Sequence, residues 1–121
     1  MLLKDEQYFK SAIFLANSSP QKLRYAKTPA ITNAQCKQSW PPSYISDDMI
    51  CEGSSSKGGC MGDSGGPFVC NEDGKAIVAG VVSWGSSTCK VHVPGVYARN
   101  TKSLQWIKNQ MVCYIICKLD W

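Results

Sequence analysis

The sequence predicts a mostly β domain with a short helix in its first half and a longer helix near its end. Three observations carry this prediction. The apolar runs are short and bounded by Gly, Pro, Asn and Ser, as strands joined by turns require. Helical spacing is clear only late in the chain, at Leu104, Ile107 and Met111. Seven cysteines in 121 residues give the density of a disulfide-braced fold from an oxidising compartment.

The elements follow in order. Residues 1–17 show no clear period, and a helix is compatible with them. The stretch from Lys22 to Ile31 alternates loosely and reads as a strand. Asn33 offers an N-cap for a helix over Ala34–Trp40. Pro41-Pro42 ends it, because proline lacks the N–H and disfavours helix at the residue before it. Met49-Ile50-Cys51 reads as a short buried strand, and Gly53–Gly66 as a Gly/Ser-rich loop. Phe68-Val69-Cys70 and Ala76–Trp84 are apolar runs joined by Asn71-Glu72-Asp73-Gly74, a hairpin signal. Val96-Tyr97-Ala98 is another short strand. Asn100 or Thr101 caps a helix running to about Val112, whose face of Leu104, Ile107 and Met111 is expected to pack in the core.

Composition excludes several functions. The length allows one domain at most, and 44% hydrophobic residues argue against disorder. The net charge of +4 comes from scattered residues. No basic run tracks phosphates, so nucleic acid is not an expected partner. No apolar stretch approaches the roughly 20 residues that span a bilayer, so no membrane association is expected. Zinc sites favour tight Cys-x-x-Cys pairs. None occurs, and His92 is the single histidine, so neither a metal nor another cofactor is indicated. An odd cysteine count leaves at least one thiol without a partner in the chain. Met1–Lys10 is mixed in charge and the run Ala12–Ala16 is short, so no convincing signal peptide is read at the start. Asn17-Ser18-Ser19 fits a glycosylation acceptor, a pattern common by chance.

The informative segment is Gly58-Gly59-Cys60-Met61-Gly62-Asp63-Ser64-Gly65-Gly66-Pro67. One serine stands among glycines that let backbone approach a ligand. Flanking glycines also free N–H groups to converge on one point, as stabilising an oxyanion requires. Gly62-x-Ser64-x-Gly66 matches the nucleophile elbow of α/β-hydrolases, but that motif follows a strand and opens a helix. Here a polar loop precedes it and Pro67 begins a strand-like run, so the context rejects the elbow.

Gly62-Asp63-Ser64-Gly65-Gly66-Pro67 resembles the nucleophile signature of trypsin/chymotrypsin-like serine proteases. The likeness extends to Met49-Ile50-Cys51-Glu52-Gly53, to Val82-Ser83-Trp84-Gly85-Ser86, to Pro94-Gly95-Val96-Tyr97 and to Gln105-Trp106-Ile107. It runs from about Ser19 to about Cys113. The resemblance implies the C-terminal antiparallel β-barrel of a double-barrel fold, incomplete because its first strand has no counterpart here. Residues 19–113 form that partial domain, and 1–18 and 114–121 remain unassigned.

Roles follow from the same likeness. Ser64 is the acyl-forming nucleophile, and the N–H groups of Gly62 and Ser64 form the oxyanion hole. Asp63 is the carboxylate that pairs with a new N-terminal ammonium after activation. Gly58 lies at the floor of the specificity pocket, Gly85 and Gly95 keep its walls open, and Met61 lines its entrance. An aspartate at Gly58 would select lysine or arginine; glycine there implies a chymotrypsin-like preference for large apolar or aromatic residues. Ser83, Trp84 and Gly85 pair with the substrate backbone. The implied disulfides are Cys36–Cys51 and Cys60–Cys89, each contributing roughly 2–4 kcal/mol. Cys70 pairs in the family with a cysteine that has no counterpart here. It is a free thiol or bonds Cys113 or Cys117, which lie at or beyond the end of the likeness.

The resemblance implies a secreted, extracellular endopeptidase acting on peptide or protein substrates. A serine hydroxyl is a poor nucleophile without an adjacent base. The family's catalytic His and Asp lie in an N-terminal barrel with no counterpart here. His92 falls between Cys89 and Pro94, away from the nucleophile, and reads as a solvated loop residue. The chain alone is therefore expected to be an inactive fragment. The alternative is a non-catalytic peptide-binding module, or a half that works with a partner such as the missing barrel. A protease inhibitor is a further implied partner.

Overall fold

The structure, a computed structural model, describes residues 7–11, 24–53 and 58–119, with side chains described for 25–53 and 58–112. Seven strands form one antiparallel sheet: β1 (Gln7–Ser11), β2 (Arg24–Lys27), β3 (Ala30–Ile31), β4 (Met49–Glu52), β5 (Pro67–Glu72), β6 (Lys75–Trp84) and β7 (Val96–Arg99). Their order is β2-β1-β5-β6-β7-β4-β3. The two strands at the ends of this order, β2 and β3, are consecutive in sequence, with only Thr28 and Pro29 between them. Two residues reach no more than about 10 Å, so the sheet rolls until its ends meet on one bent segment. The hydrogen-bonded ladder itself stays open, and the result is a partial β-barrel.

The expected single strand over Lys22–Ile31 is thus broken. Pro29 has no N–H to give a ladder, and the seam is fastened otherwise. The Thr28 hydroxyl donates to the Gly53 carbonyl at 2.6 Å, and the Gly53 N–H donates to the Pro29 carbonyl. A larger departure lies at the start. Within 1–17, residues 7–11 form a strand rather than a helix, paired on one side with β2 and on the other with β5. With only five residues, this strand is too short for its period to show in sequence.

The core follows from strand alternation. Ala26, Ile50, Phe68 and Tyr97, from β2, β4, β5 and β7, turn inward into one cluster. The Phe68 and Tyr97 rings lie 4.9 Å apart. Gly80 on β6 makes room for them: a Cβ there would lie 2.9 Å from Ile50 Cγ2 and 3.0 Å from Tyr97 Cβ. A second cluster joins Cys36, Ile45, Cys51 and Val96 beside Trp40 and Trp84.

The helices are displaced from expectation. α1 is Asn33–Cys36, one turn only, and its N-cap is Thr32 rather than Asn33. Thr32-x-x-Gln35 forms a reciprocal capping box. The Asn33 amide is engaged elsewhere, donating to the Ser46 carbonyl and accepting from Arg99. Residues 42–44 form a single 3-10 turn after Pro41. The hairpin between β5 and β6 turns on Asp73 and Gly74, both at positive φ (49° and 76°), as a tight antiparallel turn demands.

α2 spans Asn100–Leu119, well past Val112. Leu104, Ile107 and Met111, expected in the core, are 46%, 39% and 59% exposed. The helix meets the sheet at β6, where the Asn100 side chain donates to the Val78 carbonyl, and it does not lie across the core. Helical spacing marks an apolar face, not what covers it. No helix among the described residues is long and apolar enough to cross a membrane.

Two outcomes test this architecture. Phe9 stands in register with Ala26 on one side and Phe68 on the other. Phe9→Pro removes a ladder N–H from a strand paired on both sides and should cost on the order of 1–3 kcal/mol, read from the urea midpoint. An unchanged midpoint would remove β1 from the sheet. Gly80→Ala overpacks the interior and should cost roughly 1–3 kcal/mol in the same measurement.

Candidate active site

The segment 58–66 folds tightly over its own carboxylate. Gly62 and Gly65 take positive φ (93° and 82°), which glycine adopts without the Cβ strain of other residues. The Asp63 N–H donates to the Cys60 carbonyl at 3.1 Å, and the Gly66 N–H donates to the Asp63 carbonyl at 2.9 Å. The Asp63 side chain turns inward, 3% exposed. Its Oδ2 accepts from the Cys60 N–H at 2.7 Å, and its Oδ1 is buried without a hydrogen-bond partner. Reciprocal bonds fix the loop to β6: Gly65 N–H to the Val82 carbonyl and Val82 N–H to the Gly66 carbonyl. The N–H groups of Gly62 and Ser64 take no part in these bonds. Ser64 stands exposed at the tip.

Ser64 opens onto a cleft of about 300 Å³, lined also by Met61, Ser83, Trp84, Gly85 and Gly95. Gly58 lines a smaller cavity of about 30 Å³ that shares Gly59, Gly85 and Gly95 with the cleft. Disulfides join Cys36 to Cys51 and Cys60 to Cys89, and the second ties the serine loop to the opposite wall. Cys70 is buried, with a free thiol, opposite Gln7 in the register of β1. Burial pushes that thiol's pKa up. The side chains of Cys113 and Cys117 lie outside the described residues.

Wall strand β6 has an irregular register between Val82 and Trp84. Its ladder with β5 ends at Val81 opposite Pro67, so residues 83–85 have no ladder partner on that side. Trp84 is held by an edge-on contact with Trp40, ring centroids 5.0 Å apart. Trp40 in turn donates from Nε1 to the Pro94 carbonyl at 2.8 Å. On the far side of the core, Arg99 donates to the carbonyls of Asp47 and Met49 and to the Asn33 side chain. His92 is exposed on a turn and lines neither cavity.

Glu52, to which the sequence reading gave no role, lies at the junction of both cavities. It ends β4, and its N–H donates to the Gly95 carbonyl at 3.0 Å. Its side chain is 5% exposed, and Oε2 is buried without a hydrogen-bond partner. Burial is the main cause of a raised pKa; hydrogen bonds from the Tyr97 hydroxyl and the Gly59 N–H oppose it, and the Asp63 charge adds to it. The Tyr97 hydroxyl is pushed up in turn, by burial first and then by the Glu52 charge. Glycine is required beside it: a Cβ on Gly95 would lie 2.6 Å from Glu52 Oε1. The space expected over Gly95 for a substrate is therefore partly taken by this carboxyl group. The signal in the sequence was an acidic residue closing the apolar run Met49-Ile50-Cys51.

The raised pKa fixes the sign of a pH effect. The folded chain holds the Glu52 proton more tightly than the unfolded chain. The stability this adds is complete below the unfolded value of about 4.5 and is lost as pH rises through the folded value. Glu52→Gln cannot ionise. Thermal unfolding across this range should show wild type losing stability relative to the variant as pH rises, and equal slopes would contradict the buried carboxyl.

One comparison with known proteins bears on this arrangement. A family model described as Trypsin matches residues 12–107, a span that contains the serine loop, both cavities and all the described strands except β1. That match covers well over half the sequence, and the chain belongs to the trypsin family.

Proposed function

We propose that this chain carries the nucleophile and substrate pocket of a serine endopeptidase. One observation carries the reading: Ser64 stands exposed at the mouth of a side-chain-sized cleft, on a glycine-flanked turn pinned to the cleft wall. Ser64 Oγ attacks the scissile carbonyl, and the amine leaves as an acyl-enzyme forms on Ser64. The Gly62 and Ser64 N–H groups stabilise the oxyanion. The substrate backbone adds a strand along Ser83, Trp84 and Gly85, supported by the free edge at 83–85. The cleft takes the large side chain before the scissile bond. Its apolar lining of Val82, Trp84 and Val96 supports the expected contact with a large apolar or aromatic side chain.

The proton on Ser64 needs a base. His92 lies on an exposed turn outside both cavities, which supports a base and orienting carboxylate supplied by the family's N-terminal barrel. Asp63 is the activation-linked carboxylate; its unpartnered, buried Oδ1 supports a role in receiving an ammonium. The position of His92 equally supports a second reading, a module that binds peptides without cleaving them. Substrates are extracellular peptides or proteins, in keeping with the family and the two disulfides.

A fluorophosphonate probe with intact-mass readout separates these readings. The chain alone should take no adduct, and the chain mixed with an N-terminal barrel from a related protease should take one, on Ser64, absent in Ser64→Ala. An adduct on the unaided folded chain would refute the external base. No adduct in the mixture would favour the binding module.

A further inference from the structure

The cleft contains a carboxyl group whose two oxygens are not equivalent. Glu52 is 5% exposed and lines both the cleft and the smaller cavity. Oε1 is the crowded oxygen: a Cβ on Gly58 would lie 3.3 Å from it, and one on Gly95 would lie 2.6 Å from it. Oε2 has no hydrogen-bond partner, so the bonds from the Tyr97 hydroxyl and the Gly59 N–H fall on Oε1. A proton on Oε1 would compete with those two donors. A proton on Oε2 leaves both bonds in place. Protonated Glu52 therefore carries its O–H on Oε2, a buried donor that still needs an acceptor.

We propose that the cleft recognises a neutral side chain ending in an oxygen, glutamine's amide or tyrosine's phenol, which accepts a hydrogen bond from the Oε2–H of protonated Glu52. This rests on the cleft being the side-chain pocket of the proposed endopeptidase. It goes beyond that reading by naming the chemistry at the far end of the side chain and the proton that binds with it.

The surroundings favour a neutral pair. Val82, Trp84 and Val96 supply apolar wall for a ring or a methylene stem. A purely hydrocarbon end would fill the same space and leave the buried O–H without an acceptor, which is costly. The groups that face Glu52 act on its proton in different directions. Burial and the Asp63 charge on the serine loop hold the proton on; the Tyr97 hydroxyl on β7 and the Gly59 N–H oppose them. Lys90 lines the smaller cavity from the opposite wall. It is exposed and stays charged throughout an acid titration, so it adds nothing to the pH dependence. A side chain that enters the cleft displaces further water from Glu52 and disfavours the ionised form again.

Binding and protonation are then linked. A ligand that needs Oε2–H binds the protonated form alone, so binding takes up a proton wherever Glu52 is ionised beforehand. Affinity is complete below the folded pKa of Glu52 and is lost as pH rises through it.

Calorimetric titration of the whole chain with benzamide, p-cresol and benzamidine tests this. Benzamide and p-cresol are neutral and carry an oxygen. Benzamidine has the shape of benzamide and a positive charge. From about pH 5 to about pH 8, affinity for the neutral ligand should fall, by up to about tenfold per pH unit. Heats in buffers of different ionisation enthalpy should show a proton taken up over the same range. Tighter binding of benzamide or of p-cresol assigns the amide or the phenol. Glu52→Gln, whose amide donates without titrating, should keep neutral-ligand binding and lose both the pH dependence and the proton uptake. The wild-type titrations stand even if the variant fails to fold. Affinities for both neutral ligands that ignore pH, a pH dependence that survives in Glu52→Gln, benzamidine binding most tightly at every pH, or no binding at all would overturn the proposal. Nothing in this assay requires Ser64 to react. Proton-linked binding on a chain whose serine never labels would refute the endopeptidase alone. A labelled serine beside a cleft indifferent to pH would refute the role of Glu52 alone.

Discussion

The fold depends on a meeting of strand ends. β2 and β3 belong to one segment bent at Thr28-Pro29, yet they occupy opposite ends of the sheet. This is possible only because the intervening strands curl around a small apolar interior. Ala26, Ile50, Phe68 and Tyr97 fill that interior, and Gly80 lets them approach. The Thr28 and Gly53 hydrogen bonds then close the seam with polar groups that the bent segment cannot place in a ladder. The cleft inherits this arrangement. Tyr97 packs on Phe68 with its ring and bonds Glu52 with its hydroxyl, so the residue that fills the core also positions the acidic group in the cleft.

Much of this was legible where the signal is local. The hairpin between β5 and β6 is written in four residues, and Asp73-Gly74 takes the positive φ angles that the turn needs. The strand β7 and the start of α2 follow from short apolar spacing and an Asn-Thr pair. The failures are non-local. A five-residue strand such as β1 exists through its two neighbours, which no window of its own sequence contains. The helix face of Leu104, Ile107 and Met111 has the right period, but period does not supply the surface that buries it.

The site divides along the same line. The loop around Ser64 is built from glycines and an aspartate within nine residues, 58–66, and its backbone geometry is nearly self-contained. Its turns are therefore legible in the segment alone. Glu52 cannot be read that way. Its burial depends on the phase of β4 against β7, and its room depends on a glycine at position 95. What fills the space beside a glycine is a question of packing, and here an acidic side chain fills it from another strand.

Two buried carboxyl groups, Asp63 and Glu52, each keep one oxygen without a hydrogen-bond partner. Such groups reduce stability, and they persist where a ligand completes them. The Asp63 charge adds, after burial, to the raised pKa of Glu52. A cation that pairs with Asp63 offsets that repulsion and lets Glu52 ionise more readily. The serine loop, which carries Asp63, and the cleft, into which β4 sends Glu52, thus share one electrostatic balance.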